Sequence, residues 1–86
     1  MKQYTIQVTR SAEKNLVAIP KKERAKIIAS IMDLSNNPFP QGCKKLSGEE
    51  NTFRIRLGNY RVIYELHGAK LIILVLKIGH RKDIYR

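Results

Sequence analysis

The chain has 86 residues, with 17 Lys and Arg against seven Asp and Glu, which gives a formal net charge of +10. This length predicts a single domain over residues 1–86, and the hydrophobic fraction of 43% excludes a disordered tail. No stretch approaches the ~18 consecutive apolar residues of a membrane span, so we expect no membrane association through a helix. The first residues lack the apolar core of a signal peptide, and we therefore expect a cytoplasmic protein.

The cysteine count and the charge limit the kinds of site that the chain can build. A single Cys43 excludes an intramolecular disulfide and a cysteine-rich zinc site, and with only two His we expect neither a metal nor a cofactor. The excess of basic residues favours association with polyanions. Nucleic acid, an acidic protein and an anionic membrane are all possible partners, and a merely solvated basic surface is the alternative.

The N-terminal half predicts one strand and two helices. Residues 3–9, "QYTIQVT", alternate between apolar and polar, which indicates a strand. Ser11 is a candidate N-cap for a short helix through "AEKNLVA", and Pro20 suits the first turn of a second helix. That helix is expected to end near the loop "SNNPFPQG". Five positions with helical spacing are expected to form its inner face: Ala25, Ile28, Ile31, Met32 and Ser35.

From about residue 52 the hydrophobic period changes from helical to two, which is typical of strands. "TFRIRL" and "YRVIYEL" alternate around the turn "GN", and "HGA" separates them from the nearly continuous apolar run "KLIILVLKI". Such a run predicts a central strand that is buried on both faces. The expected fold is α+β: an N-terminal strand, a two-helix hairpin and a three-stranded antiparallel meander, with the helices on one face of the sheet.

The predicted hairpin gathers three arginines on one face. If Gly58–Asn59 forms a type II′ turn, Arg56 lies directly opposite Arg61, with Arg54 on the same face. The other face then holds Phe53, Ile55, Leu57, Tyr60, Val62 and Tyr64. Like charges opposite each other destabilise a sheet unless an anion lies between them. Guanidinium groups match phosphate oxygens in shape and charge, so the pattern favours a phosphate-binding strip. The alternative is an exposed surface whose side chains spread apart in water.

The C-terminal segment "IGHRKDIYR" adds further basic and aromatic residues. The predicted meander places Arg61 opposite Leu76, close to the start of this segment, which could then cover the arginines. His80 or Tyr85 could transfer a proton, and Tyr85 could stack on a base. The acidic residues form no inward-pointing cluster, which argues against two-metal phosphoryl chemistry. These groups suit cleavage of RNA by its own 2′-hydroxyl, in which the main task is to stabilise a charged phosphorane.

Three blocks of the sequence resemble a known family. "KKLSG" (44–48), "FRIRLGNYRVIYEL" (53–66) and "KIGHRKDIYR" (77–86) resemble the RelE/ParE superfamily of toxin–antitoxin toxins, on the RelE side. The resemblance implies a metal-independent endoribonuclease that cuts mRNA in the ribosomal A site and is silenced by a cognate antitoxin. It also implies that Arg61 and Arg81 contact the phosphate and the transition state, and that Tyr85 stacks on or activates the nucleotide.

The chain departs from its relatives at the position of the general base. Arg54 and Arg56 fall where well-studied relatives carry lysines, one of which is a proposed general base, and arginine is a poor base. Either Tyr85 or His80 takes the proton, or general-base assistance is weak. The candidate catalytic residues are Arg61, Arg81, Tyr85 and His80, and the candidate RNA- or phosphate-binding residues are Arg54, Arg56, Lys44, Lys45 and Lys82.

Two other functions fit the same sequence. One is a ParE-like toxin that inhibits DNA gyrase by binding it, without catalysis. Those relatives share the expected fold but tend to lack clustered basic residues with a terminal Tyr, both of which are present here. The other is a non-catalytic RNA- or DNA-binding module that acts as an autorepressor together with an antitoxin.

Overall fold

The structure, a computed structural model, describes residues 3–46, 48 and 50–80. Its elements in chain order are β1 (Thr5–Val8), α1 (Arg10–Ala18), α2 (Lys21–Asp33), β2 (Lys44–Lys45), β3 (Thr52–Leu57), β4 (Tyr60–His67) and β5 (Ile72–His80). The strands form one five-stranded sheet in the order β1-β5-β4-β3-β2. The α+β class and the meander β3–β4–β5 are confirmed, but the meander is only the centre of a larger, mixed sheet.

The two outer strands complete the sheet. β1 pairs in parallel with β5, and every other neighbouring pair is antiparallel. The parallel pairing is possible because the two helices separate β1 from the meander and return the chain to the opposite edge. β2 has only two residues, which is too short for a periodic pattern to reveal it in the sequence.

The hydrophobic core lies between the helices and one face of the sheet, as predicted. Its buried members come from both helices, the segments that follow them and the three long strands: Ala12, Ile19, Ile27, Ile31, Leu34, Ile55, Val62, Tyr64, Ile73, Val75 and Ile78. Within the described residues, no helix is long and apolar enough to cross a membrane.

Helix α1 begins earlier than predicted. Its N-cap is Thr9, whose hydroxyl oxygen accepts from the backbone N–H of Ala12 at 3.1 Å. The same hydroxyl donates to the carbonyl of Leu76 at 2.9 Å and so joins the helix start to β5. Ser11 is an exposed residue within the helix, so its prediction as N-cap is wrong. By type, Ser is the slightly better cap, but Thr9 also bonds to β5 and this tertiary contact places the helix start at Thr9.

Helix α2 faces the sheet with a stripe that only partly matches the predicted one: Ile31 is buried as expected, but Ala25, Ile28 and Met32 are exposed. Ile27 and Ile31 are its buried residues, whereas Ile28 and Met32 are 42% and 56% exposed. Pro20 is the N-cap and lies just before the first helical residue. The sequence of α2 offers two overlapping apolar stripes, and packing against the sheet selects one of them.

The β3–β4 hairpin has the predicted register and turn. Arg56 lies opposite Arg61, and Leu57 lies opposite Tyr60. Gly58 has a φ of 62°, and Leu71 is the only non-glycine residue with positive φ in the described part of the chain. Asn59 therefore does not have a positive φ, and the turn follows the type II′ pattern, in which glycine occupies the first central position.

The register between β4 and β5 differs from the prediction. Arg61 lies opposite Gly79 and not opposite Leu76. The turn after His67 occupies residues 68–71, and a bulge shifts the pairing between Ile63 and Tyr64. The length of a turn and the position of a bulge are difficult to predict from a continuous apolar run, because every residue of such a run suits either face of the sheet.

The turn glycine provides a test of the hairpin. We expect Gly58→Ala to destabilise the protein by about 1 kcal/mol or more, because L-residues avoid this backbone conformation. Gly68→Ala is the matched control, since Gly68 has no positive φ and an added Cβ would meet nothing within 4 Å at either glycine. Thermal melting of both variants measures the difference, and equal losses would contradict the role of the turn conformation.

Candidate functional site

One face of the sheet carries a row of cations on neighbouring strands. We call the face opposite the helices the open face. Lys44 lies opposite Arg54, and Arg56 lies opposite Arg61. On β5, Lys77 lies opposite Ile63, which shares the open face with Arg61. Because paired residues are about 4.5–5.5 Å apart at Cβ, these side chains form one surface. We call it the basic strip: Lys44, Arg54, Arg56, Arg61 and Lys77.

The members of the basic strip differ in burial. Arg61 is only 7% exposed, Arg54 is half-buried, and Arg56 is exposed. Gly79 lies opposite Arg61 on β5 and contributes no side chain to the open face. A charge held in this partly desolvated position interacts with an anion more strongly than an exposed charge does. Arg61 is therefore the anchor of the strip, and the exposed cations extend it.

Two predicted site residues do not join the strip. Lys45 lies opposite Phe53, and His80 lies opposite Tyr60, so both belong to the other side of the sheet. The rings of His80 and Tyr60 form a T-shaped pair with centroids 5.9 Å apart. The structure thus does not bring His80 together with Arg61. Arg81, Lys82 and Tyr85 lie outside the described residues, and their roles remain predictions.

Lys77 is a member of the strip that sequence reasoning missed. It lies near the end of the apolar run of β5, which predicted burial on both faces, yet Lys77 is exposed. The signal in the sequence was this single charged residue within an apolar run, which indicates a position that faces solvent. The alternation of β5 does not reveal the face of Lys77, because the residues before and after the bulge do not follow one alternation.

A buried tyrosine fixes the loop that leads into β2. Tyr64 is fully buried, and its hydroxyl donates to the carbonyl of Pro38 at 2.7 Å and lies 3.1 Å from the sulfur of Cys43. Burial, with a smaller contribution from Cys43, raises the pKa of Tyr64 well above its usual value, so it stays a neutral donor. Because Cys43 directly precedes Lys44, this contact also positions the edge of the basic strip.

An apolar area adjoins the basic strip on the open face. Ile63, Ile72 and Leu74 are half-buried there and lie outside the core cluster. Beyond them, His67 and Glu65 form an ion pair at 2.9 Å. In the described part of the chain, no group of three or more His, Cys, Asp or Glu side chains is placed to hold a metal ion. The open face thus combines cations with a half-buried apolar area.

These features define a small basic α+β domain with a cationic sheet surface suited to anionic ligands. Residues 6–85 match the family described as the ParE toxin of the type II toxin–antitoxin system, parDE. Toxin RelG of Mycobacterium tuberculosis is 34% identical over 85 residues, which cover 96% of this chain and 97% of the relative. Toxin RelE3 of Methanocaldococcus jannaschii is 38% identical over 66 residues, or 74% and 73% of the two chains.

Solved structures agree with the sequence comparisons. The toxin–antitoxin complex RelBE2 of Mycobacterium tuberculosis matches with a TM-score of 0.81 and 30% identity, over 92% of this chain and 99% of the other. A RelE–RelB complex from Pyrococcus horikoshii matches with a TM-score of 0.83 and 28% identity, over 94% and 98%. The chain belongs to the RelE/ParE superfamily of type II toxin–antitoxin toxins. Its similarity to RelE-type toxins does not support the alternative of a ParE-like gyrase inhibitor.

The basic strip can be tested by binding alone. We expect Arg61→Gln to weaken binding of a 2′-O-methyl RNA oligonucleotide and to reduce the salt dependence by about one phosphate contact. Arg10→Gln is the matched control, because it removes the same charge from an exposed position at the start of α1. Fluorescence anisotropy over a salt series measures both variants, and thermal melting checks their folding. Equal losses in the two variants would show that only net charge matters.

Proposed function

We propose that this protein is a RelE-type endoribonuclease that cleaves mRNA in the ribosomal A site without a metal ion and thereby stops translation. The observation that carries the proposal is the basic strip, with the buried Arg61 directly opposite Arg56, in a chain of the RelE/ParE superfamily. A row of guanidinium groups on adjacent strands matches the repeated phosphates of a single RNA strand.

The proposed reaction uses a nucleophile from the RNA itself. The 2′-hydroxyl attacks the adjacent phosphorus, and the bond from phosphorus to the 5′-oxygen breaks. The products are a 2′,3′-cyclic phosphate and a free 5′-hydroxyl. A general base takes the proton of the 2′-hydroxyl, and the leaving 5′-oxygen gains a proton. Tyr85 and Arg81 are the remaining candidates for these contacts, because His80 lies on the other side of the sheet from Arg61.

Within the described residues, Arg61 is the best placed to stabilise the phosphorane. Its guanidinium keeps its charge at any working pH and donates hydrogen bonds in a planar fork. The negative charge on the non-bridging oxygens increases in the transition state, so a preformed cation lowers the barrier. Arg54 and Arg56 would hold the flanking phosphates, and they cannot replace the lysine general base of the relatives.

We also propose a cognate antitoxin that covers the open face. The solved relatives include complexes named RelBE and RelE–RelB. Ile63, Ile72 and Leu74 offer an apolar contact area next to the basic strip, which suits an amphipathic segment with an acidic edge. Such a segment would compete directly with RNA for the cations and so inhibit cleavage.

The chemistry predicts cleavage that is independent of divalent ions. Because the arginines can neutralise the phosphorane themselves, we expect ribosome-bound mRNA to be cut at an unchanged single-turnover rate when the free divalent ions are chelated after complex formation. The 2′-hydroxyl is the nucleophile, so mRNA with a 2′-deoxy nucleotide at the scissile position should resist cleavage.

Ribosome integrity needs its own control, because chelation can dissociate the subunits. Sedimentation of the same mixture shows whether the ribosomes remain intact. Loss of cleavage on intact ribosomes, with recovery on addition of Mg²⁺, would refute the metal-independent mechanism. Cleavage of the 2′-deoxy substrate at the normal rate would refute the role of the 2′-hydroxyl.

The antitoxin proposal predicts that a substitution in the apolar part of the open face weakens the complex more than a substitution on the helices does. We expect Leu74→Lys to weaken the complex with the cognate antitoxin by about 10-fold or more, since it introduces a charge into the apolar part of the open face. Val17→Lys is the control, because Val17 is 74% exposed on α1, on the helix side of the sheet. Calorimetric titration measures both. A larger loss for Val17→Lys would place the antitoxin on the helices.

A further inference from the structure

A cleft of about 410 Å³ separates α2 from the tip of the β3–β4 hairpin. It lies on the helix side of the sheet and is thus distinct from the basic strip. Its apolar lining includes Ile27 of α2 and Leu57 of β3, and Tyr60 adds an aromatic wall. Glu23, Lys26 and Asn59 line it with polar groups. An apolar cleft with a few convergent polar groups is typical of a site for a small organic ligand.

The two charged residues of the cleft are available to a ligand. Glu23 and Lys26 lie one turn apart on α2, so they share one side of the helix. In the part of the chain that the structure describes, the only ion pair of 4.0 Å or less joins His67 to Glu65. Glu23 and Lys26 therefore do not neutralise each other at short range. A ligand that donates to the carboxylate and accepts from the ammonium group would satisfy both.

The aromatic wall is held in place from outside the cleft. Tyr60 is half-buried, and its ring forms a T-shaped pair with the ring of His80 at a centroid distance of 5.9 Å and an interplanar angle of 76°. A ring fixed in this way offers a flat surface for stacking. This contact also gives His80 a role that does not depend on proton transfer.

A nucleobase combines the features that this cleft would recognise. Proteins read unpaired RNA bases by stacking them on aromatic side chains and by hydrogen bonds to their edges. The edge of guanine presents two adjacent N–H donors, which match a carboxylate, next to a carbonyl oxygen, which matches an ammonium group. Uracil has only one N–H donor on the same edge and fits Glu23 less well.

The cleft adjoins a smaller cavity that Arg56 of the basic strip lines. Arg56 lines a smaller cavity of about 120 Å³ together with Ser30 and Asp33, and Ser30 also lines the main cleft. β2 pairs with β3 only at Phe53 and Arg54, so within the described residues no strand covers the edge of β3 beyond them. RNA whose phosphate contacts Arg56 can therefore follow this edge and place a neighbouring base in the cleft.

We propose that the cleft between α2 and the β3–β4 hairpin is a nucleobase subsite that prefers guanine. Tyr60 stacks on the base, and Glu23 and Lys26 contact its edge. The subsite selects the nucleotide beside the phosphate that Arg56 holds, so Glu23 and Lys26 are specificity-determining residues. This inference rests on the proposed RNA cleavage, although binding to the cleft can be measured without it.

The first test measures nucleotide binding to the full chain by NMR. Guanosine 5′-monophosphate should shift the amide resonances of Lys26, Asn59 and Tyr60, whereas ribose 5-phosphate should leave them unchanged. Glu23→Gln should weaken binding of the guanine nucleotide on the order of 10-fold, the effect of losing a bidentate base contact. Uridine 5′-monophosphate should bind the parent and the variant equally weakly.

One further variant controls for the change in charge, and another tests the second proposed contact with the base. Glu13→Gln makes the same charge change on α1, outside the cleft, and should leave guanine binding unchanged. Lys26→Met changes an exposed side chain and should weaken guanine binding independently of Glu23. If nucleotides leave the cleft resonances unmoved, or if Glu13→Gln has the same effect as Glu23→Gln, the subsite does not exist. An arginine-containing peptide serves as a further probe. If it shifts the cleft resonances and no nucleotide does, the cleft binds a protein partner and the proposal is overturned.

The second test maps the transcript ends produced by the parent and by Glu23→Gln. We expect the parent to favour guanine at one fixed position beside the cut and the variant to lose that preference. If the parent cleaves RNA and both the cut-site profile and the nucleotide selectivity survive in Glu23→Gln, the subsite is refuted while the proposed function stands. If the parent cleaves no RNA, the proposed function fails, and the titration alone decides whether the cleft binds guanine.

Discussion

The pairing of β3 with β4 is the constraint on which the rest of this structure depends. The register that places Arg56 opposite Arg61 also places Ile55 opposite Val62, so one alternation supplies both the cationic face and the core face. A shift of one residue would bury the arginines against the helices, at a cost far above the value of any single contact. The turn at Gly58 fixes this register, because a two-residue type II′ loop allows only one alignment of the strands.

The bulge between β4 and β5 arranges the site around that hairpin. It places Gly79 beside Arg61 and His80 beside Tyr60. Helix α1 holds β5 in this arrangement, since the side-chain oxygen of Asn15 accepts from the backbone N–H of Ile78 at 3.0 Å. An interaction on the helix side of the sheet thus supports the register that places Gly79 beside the anchor of the basic strip.

The two faces of the sheet have different proposed roles. The open face carries charge and an apolar area, which suits competition between RNA phosphates and an acidic antitoxin segment. The helix side carries the cleft, where shape and hydrogen bonding rather than net charge would select a base. Arg56 lies at the boundary, because it belongs to the basic strip and also lines the small cavity next to the cleft. RNA affinity and base preference can therefore change independently.

The sequence by itself determined the strand–helix–helix–meander order and the grouping of Arg54, Arg56 and Arg61 on one face, because period-two alternation and a glycine turn are local properties. It did not determine which stripe of α2 is buried or which residue caps α1, since packing against the sheet and the bond from Thr9 to β5 decided these points. Only the tertiary structure decided the β4–β5 register, and with it the inclusion of Lys77 and the separation of His80 from Arg61. A bulge in an apolar run changes the face of every later residue but leaves the run equally apolar, so only packing reveals it.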